Sequence, residues 1–225
     1  MNLQMQFIRV FVFFCIILTN VIHVKSQLFN VSNDLLLPTN HTGGFLGTGV
    51  SFADFNGDDV DDLTFGHHAG HLKFYIGNNT PTGEGFQEVI LNISNDQSEA
   101  KMVLWADIDN DGDQDFLVTN RNASNKLWRN DGGMEFTDIS EVSGISTNND
   151  TKSYGASFGD YNNDGFLDLY ICNYHTFVDF TTNELYQNNG DGTFTDVTVL
   201  AGVDNGFAQS FQSTFIDIDL DGHLD

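Results

Sequence analysis

Trp105-Ala106-Asp107-Ile108-Asp109-Asn110-Asp111-Gly112-Asp113-Gln114-Asp115-Phe116 recurs, with altered spelling, three more times along the chain. Phe52-Ala53-Asp54-Phe55-Asn56-Gly57-Asp58-Asp59-Val60-Asp61-Asp62-Leu63 precedes it, and Phe158-Gly159-Asp160-Tyr161-Asn162-Asn163-Asp164-Gly165-Phe166-Leu167-Asp168-Leu169 follows. The last copy is Phe215-Ile216-Asp217-Ile218-Asp219-Leu220-Asp221-Gly222-His223-Leu224-Asp225. The first aspartates, Asp54, Asp107, Asp160 and Asp217, are 53, 53 and 57 residues apart. A second motif keeps the same period. Asn125-Lys126-Leu127-Trp128-Arg129-Asn130 runs through Gly132 and Gly133 into Phe136-Thr137-Asp138-Ile139-Ser140. Asn183-Glu184-Leu185-Tyr186-Gln187-Asn188 runs through Gly190 and Gly192 into Phe194-Thr195-Asp196-Val197-Thr198. Weaker copies stand at Phe86 to Ile90 and Phe29 to Ser32. A fixed period of this length is the signature of a repeat architecture.

Short runs rich in aromatic and branched residues flank each Asp-rich segment, such as Met102 to Trp105 before the second and Phe116 to Thr119 after it. These have strand length and are too short for helices. The Gly-containing clusters after Leu127 and Leu185 are hairpin turn signals. One repeat is then about four short strands, the size of a β-propeller blade. A single blade cannot bury its own core, so neighbours must stack. The expected fold is all-β, a partial propeller with repeats at about 45–98, 99–152, 153–208 and 209–225, the last only the start of a fourth blade. The aromatic residue two places before each first aspartate (Phe52, Trp105, Phe158, Phe215) is expected to pack in the blade core.

Counting each first aspartate as position 1, side-chain oxygens recur at positions 1, 3, 5 and 9. They are Asp54, Asn56, Asp58 and Asp62; Asp107, Asp109, Asp111 and Asp115; Asp160, Asn162, Asp164 and Asp168; Asp217, Asp219, Asp221 and Asp225. In a tightly wound loop alternate residues point to one centre, and the position 7 carbonyls of Val60, Asp113, Phe166 and His223 add a further oxygen each. Gly112 and its counterparts at position 6 permit the sharp turn. Asp59 stands there in the first loop, and Asp tolerates a left-handed backbone better than most residues. Hard oxygen donors in flexible geometry suit calcium, with up to four ions expected. Magnesium demands a stricter octahedron, and zinc prefers His or Cys. Position 12 (Phe65, Val118, Ile171) lacks the bidentate Glu of an EF-hand. Asn56 and Asn162 give the first and third loops one charge fewer than the second.

The whole chain is acidic: 8 Lys and Arg face 32 Asp and Glu, a net charge of −24. That argues against nucleic acid as a partner, and bound cations would relieve the self-repulsion. The 21 Phe and 6 Tyr argue against disorder. At the N-terminus, Arg9, the apolar run Val10 to Leu18 and the segment Val24-Lys25-Ser26 read as a signal peptide over residues 1–26. Secretion follows, with no membrane span in the mature chain. Cys15 lies in the signal segment, and Cys172 sits in an apolar run that predicts burial. Six Asn-x-Ser/Thr sequons occur, at Asn30, Asn40, Asn78, Asn92, Asn122 and Asn149.

These paired motifs resemble the FG-GAP (VCBS-type) repeats of integrin α-subunit propellers. The stretch Asn183 to Thr198 is similar to the cartilage acidic protein (ASPIC/UnbV-type) family. The resemblance implies a secreted or cell-surface, seven-bladed propeller with structural calcium in its blade loops and partners bound elsewhere. Residues 27–225 have room for about three blades and the start of another, so the chain reads as a truncated product of such a gene. The functional expectation is a calcium-stabilised extracellular interaction or adhesion module, not an enzyme, with a protein or glycan partner. The alternative is a propeller-based enzyme acting on polysaccharide, its catalytic residues outside this chain. No residue here is a candidate catalytic group: no phosphate-binding loop is present. His67, His68 and His71 read as an exposed turn rather than a transition-metal site.

Overall fold

The computed structural model describes residues 48–66, 72–80, 83–95, 99–148, 152–174, 181–206 and 208–225. Among the described residues, twelve strands follow one another as three antiparallel meanders of four. The first sheet contains β1 (Val50–Ala53), β2 (Asp62–Phe65), β3 (Lys73–Thr80) and β4 (Gly83–Val89). The second contains β5 (Glu99–Ala106), β6 (Asp115–Arg121), β7 (Lys126–Asn130) and β8 (Phe136–Asp138). The third contains β9 (Ser153–Gly159), β10 (Asp168–Asn173), β11 (Glu184–Asn188) and β12 (Phe194–Asp196), followed by one helical turn, α1 (Thr198–Ala201). The fold is all-β, and each sheet has the form of a propeller blade. No helix among the described residues is long and apolar enough to cross a membrane.

The second sheet is buried on both faces, because successive side chains of a strand point to opposite sides. Phe116 and Val118 of β6 pack toward the first sheet with Phe55, Phe74, Val103 and Trp128. Leu117, between them, packs toward the third with Ile108, Leu127, Leu169, Ile171 and Tyr186. The central strand thus reads as a continuous apolar run and not as an alternation. Aromatic rings dominate the first interface: Trp105 lies 4.7 Å from Phe116 and stacks on Phe55 at 5.2 Å. Such pairs contribute about 0.5–1.5 kcal/mol each beyond the area they bury.

The expectation for the aromatic residue before each loop needs one correction. Trp105 and Phe158 are partly buried and pack on the sheet that precedes their own. Phe52, in the first sheet, is 60% exposed, because among the described residues no sheet lies on that side of it. The apolar residue that does seal each interface from the loop side is position 2: Phe55 and Ile108 are buried beneath the following sheet.

Beyond the third sheet, Gln209 bridges Tyr174, and the Asp225 N–H donates to the Ile216 carbonyl at 2.9 Å. The latter pairing matches Ala53 with Asp62 and Ala106 with Asp115, so the fourth loop closes as the others do. Cys172 is buried and unpaired with another cysteine, and burial pushes its thiol pKa up. The signal segment with Cys15, the His67, His68 and His71 cluster, and the sequons at Asn30, Asn40 and Asn149 lie outside the described residues. Asn92 and Asn122 are exposed, and Asn78 is half-buried in β3.

Candidate metal centre

The first three Asp-rich loops each join the first two strands of their sheet, and all four are wound by their own side chains. The position 1 carboxylate accepts main-chain N–H groups from positions 5 and 6. Asp107 takes those of Asp111 (3.1 Å) and Gly112 (3.0 Å), Asp160 those of Asp164 and Gly165, Asp217 those of Asp221 and Gly222. Asp54 takes those of Gly57, Asp58 and Asp59. The position 5 carboxylates of Asp58, Asp111, Asp164 and Asp221 then accept the N–H of position 7, in Val60, Asp113, Phe166 and His223. This winding needs two left-handed residues per loop. At position 6, Gly112, Gly165 and Gly222 have φ of 97°, 91° and 90°, and Asp59 has 64°. At position 4, Gly57, Asn110, Asn163 and Leu220 have φ between 58° and 76°. Gly and Asn tolerate that region; Leu220 bears the steric cost.

Position 9 has a second task that its spacing does not reveal. The Asp62, Asp115 and Asp168 side chains are fully buried. One oxygen of each accepts the position 2 N–H of its own loop, from Phe55 (3.0 Å), Ile108 (2.9 Å) and Tyr161 (3.1 Å). The other accepts an N–H from the third strand, from Gly77 (2.8 Å), Asn130 (2.7 Å) and Asn188 (2.9 Å). Each carboxylate therefore clips the loop to the sheet. Burial raises all three pKa values against the pull of these hydrogen bonds, and Asp115 reaches about 7.

Ligand-bearing oxygens of Asp107, Asp109 and Asp115 all lie within 4.8 Å of one another, and those of Asp217, Asp219 and Asp225 do the same. Positions 1, 3 and 9 thus converge; Asp111 and Asp221 are not in these triads. In the first and third loops position 3 is amide: Asn56 and Asn162 donate to Asp58 (3.2 Å) and Asp164 (2.8 Å). In the triad of the second loop, Asp109 Oδ1 is buried and has no hydrogen-bond partner. Burial, then the Asp111 charge, push the Asp109 pKa up. An orphaned buried carboxylate oxygen is costly, and three crowded carboxylates repel. A hard cation bound by oxygen relieves both, so the residues present fit calcium.

The second motif supplies the frame. The Asn130 side-chain amide donates to the Gln114 carbonyl of its own loop (3.3 Å) and to the Phe55 carbonyl of the preceding loop (3.4 Å). Asn188 repeats this with Leu167 (3.1 Å) and Ile108 (2.8 Å). The other Asn of each motif reaches forward: Asn125 donates to the Ser153 hydroxyl and Asn183 to that of Ser210, both at 2.9 Å. The motif therefore ties its blade to both neighbours. Sequence reading assigns it only a turn; the shared period of the two motifs is the signal that they touch.

The family model for the FG-GAP-like repeat matches residues 54–118 and 107–171, spanning loops one to three and together more than half of the chain. Cartilage acidic protein 1 of Xenopus tropicalis is 28% identical over 132 residues, covering 56% of this chain and 20% of that protein. Cartilage acidic protein 1 of Homo sapiens is 26% identical over 155 residues, covering 64% of this chain and 23% of that protein. The chain spans about a fifth of the length of these relatives. The matched repeats begin at the position 1 aspartates and contain the wound loops and sheets described above, and the chain belongs to the FG-GAP-like repeat family.

Proposed function

We propose that this chain is a secreted, calcium-stabilised repeat protein that serves as an extracellular interaction or adhesion module and not as an enzyme. The observation that carries the reading is Asp109 Oδ1, buried without a hydrogen-bond partner among the carboxylates of Asp107 and Asp115. Calcium would be held by positions 1, 3 and 9, the position 7 carbonyl and, where they turn inward, the position 5 carboxylates. It would neutralise loops that otherwise repel themselves, in a chain of net charge −24. Its role is structural, since the loop carboxylates are engaged by main-chain N–H groups that fix the winding. The extracellular assignment is supported by the signal-like N-terminus and by the likeness to the cartilage acidic proteins. The partner is an extracellular protein or glycan.

A thermal melt of the purified chain in millimolar calcium, in magnesium and in chelator tests this. Extracellular calcium modules bind with Kd of roughly 0.1–1 mM. At ten times Kd each site adds about 1.4 kcal/mol. The expected result is a calcium-specific rise in Tm. A cooperative melt indifferent to all three conditions overturns the calcium reading. Mass analysis of the secreted product checks cleavage after Ser26.

A further inference from the structure

We propose that the second and third loops form a coupled pair of cation sites, linked by Asn110 and Asn188, with the first loop more weakly joined to them. The proposal rests on the calcium reading. Two side-chain amides cross in opposite directions, one from the second loop to the third and one from the end of β11 to the second loop. Asn110, at position 4 of the second loop, donates to the Gly165 carbonyl of the third at 2.9 Å. That peptide continues into Phe166, whose N–H is held by Asp164 and whose carbonyl is the candidate position 7 ligand. Asn188 donates to the Ile108 carbonyl at 2.8 Å, and this peptide carries Asp109.

Asn188 also joins the two position 9 carboxylates. Its own N–H holds Asp168, while the Ile108 N–H holds Asp115. An unbroken run of hydrogen bonds thus goes from the Asp115 carboxylate through Ile108 and Asn188 to the Asp168 carboxylate. An ion that orders one loop fixes the peptides on which the other loop's ligands hang. The second ion then meets a site already ordered, which is positive coupling, and linkage makes it reciprocal.

The first loop has only the backward half of this connection. Asn130 joins Asp62, through Phe55, to Asp115, by a longer contact of 3.4 Å to the Phe55 carbonyl, and position 4 is Gly57, which has no side-chain amide to send across. The third and fourth loops repeat the forward crossing, from Asn163 to the Gly222 carbonyl at 3.3 Å and to His223 Nδ1 at 2.7 Å.

The test is a calcium titration of the full 15N-labelled chain, following the Gly57, Gly112 and Gly165 amide resonances. This gives a separate affinity for each of the first three loops. Asp160→Asn disables the third loop, and Asp164→Asn serves if that variant fails to fold. Either is expected to weaken binding at Gly112 about fivefold or more, the lower range of measured couplings. Binding at Gly57 should stay within about twofold, short of that range. Asn110→Gly keeps the left-handed backbone and deletes only the crossing amide, so it should shrink the factor seen at Gly112. An unchanged affinity at Gly112 overturns the coupling while leaving the calcium reading intact, as does an equal change at Gly57. Resonances that calcium does not move overturn both.

Discussion

The side-chain amide of Asn188 donates to the main-chain carbonyl of Ile108 at 2.8 Å, across a separation of 80 residues. Both groups are buried where the second and third sheets meet. The peptide so held lies at the root of the second loop, between the residue that seals the sheet interface and the residue that carries the orphaned carboxylate oxygen. The position of Asp109 is thus set partly from another blade.

Asn188→Ala removes the partner of the Ile108 and Leu167 carbonyls and of the Gly190 N–H. Orphaned buried groups cost about 1–3 kcal/mol each, so urea unfolding should show a clear fall in midpoint. Asn189→Ala, one residue along, loses only exposed contacts, to Thr193 and Thr195. It should lie within about 0.5 kcal/mol of the parent. Equal effects from the two would contradict the assigned role.

Proton linkage gives a pH prediction for the chelated chain. Burial raises the folded Asp115 pKa to about 7, above the ordinary value of 3.8. Between those values the folded state holds a proton that the unfolded state releases. Stability is therefore greatest at the low end of this window and declines as pH rises toward 7. Asp62 and Asp168 are shifted in the same direction. Glu99 acts oppositely: burial raises its pKa, but hydrogen bonds from Lys101 and Arg121 outweigh that and leave it lowered, so its effect falls below pH 4.5. At about 1.4 kcal/mol per tenfold change in proton affinity, Asp115 sets a ceiling of about 4 kcal/mol. In chelator the unfolding midpoint should be higher at pH 5 than at pH 7.5. In calcium the order should invert, because the ion binds the deprotonated form.

Asp109→Asn should act with opposite consequences in the two conditions. In chelator it relieves repulsion within the triad and leaves stability unchanged or slightly raised. In calcium it removes one anionic ligand, and the calcium-induced gain should shrink by up to one site's share, about 1.4 kcal/mol at ten times Kd. Paired melts of parent and variant read both. A variant that loses stability equally with and without calcium would show Asp109 to be a packing residue.

Gly77 shows how close the loop lies to its sheet. A Cβ there would stand 2.4 Å from the Asp61 carbonyl, and the Gly77 N–H holds Asp62. Gly77→Ala must push β3 off the loop, at a cost of about 1–3 kcal/mol. Gly85→Ala on β4 meets open space and should be near neutral. Denaturant midpoints of the two variants, compared side by side, test this.

Much of this structure is written locally. The 53-residue spacing of Asp54, Asp107 and Asp160 places three equivalent loops, and the apolar runs beside them become the strands that the loops join. Gly112 and Asp59 at position 6 take the left-handed backbone that the turn demands. What spacing does not carry is direction. Alternation suggests that positions 1, 3, 5 and 9 share one centre, yet position 9 is also pulled under the loop by N–H groups from position 2 and from the third strand. Nor does local sequence show who covers whom. Phe52 and Trp105 are each followed by Ala-Asp, but only Trp105 has a sheet packed against it. The Asn130 and Asn188 amides bind carbonyls of the preceding repeat, and that partnership exists only once the sheets stack.

The paired asparagines carry a consequence for how such a chain lengthens. Asn125 and Asn183 reach forward, Asn130 and Asn188 reach back, and each finds its partner in the adjacent repeat. Duplicating a whole period anywhere in the gene recreates every donor beside its acceptor, and the new segment enters already keyed to both sides. A duplication of any other length strands amides against the wrong carbonyls. The repeat length is thus a gauge that admits only whole copies.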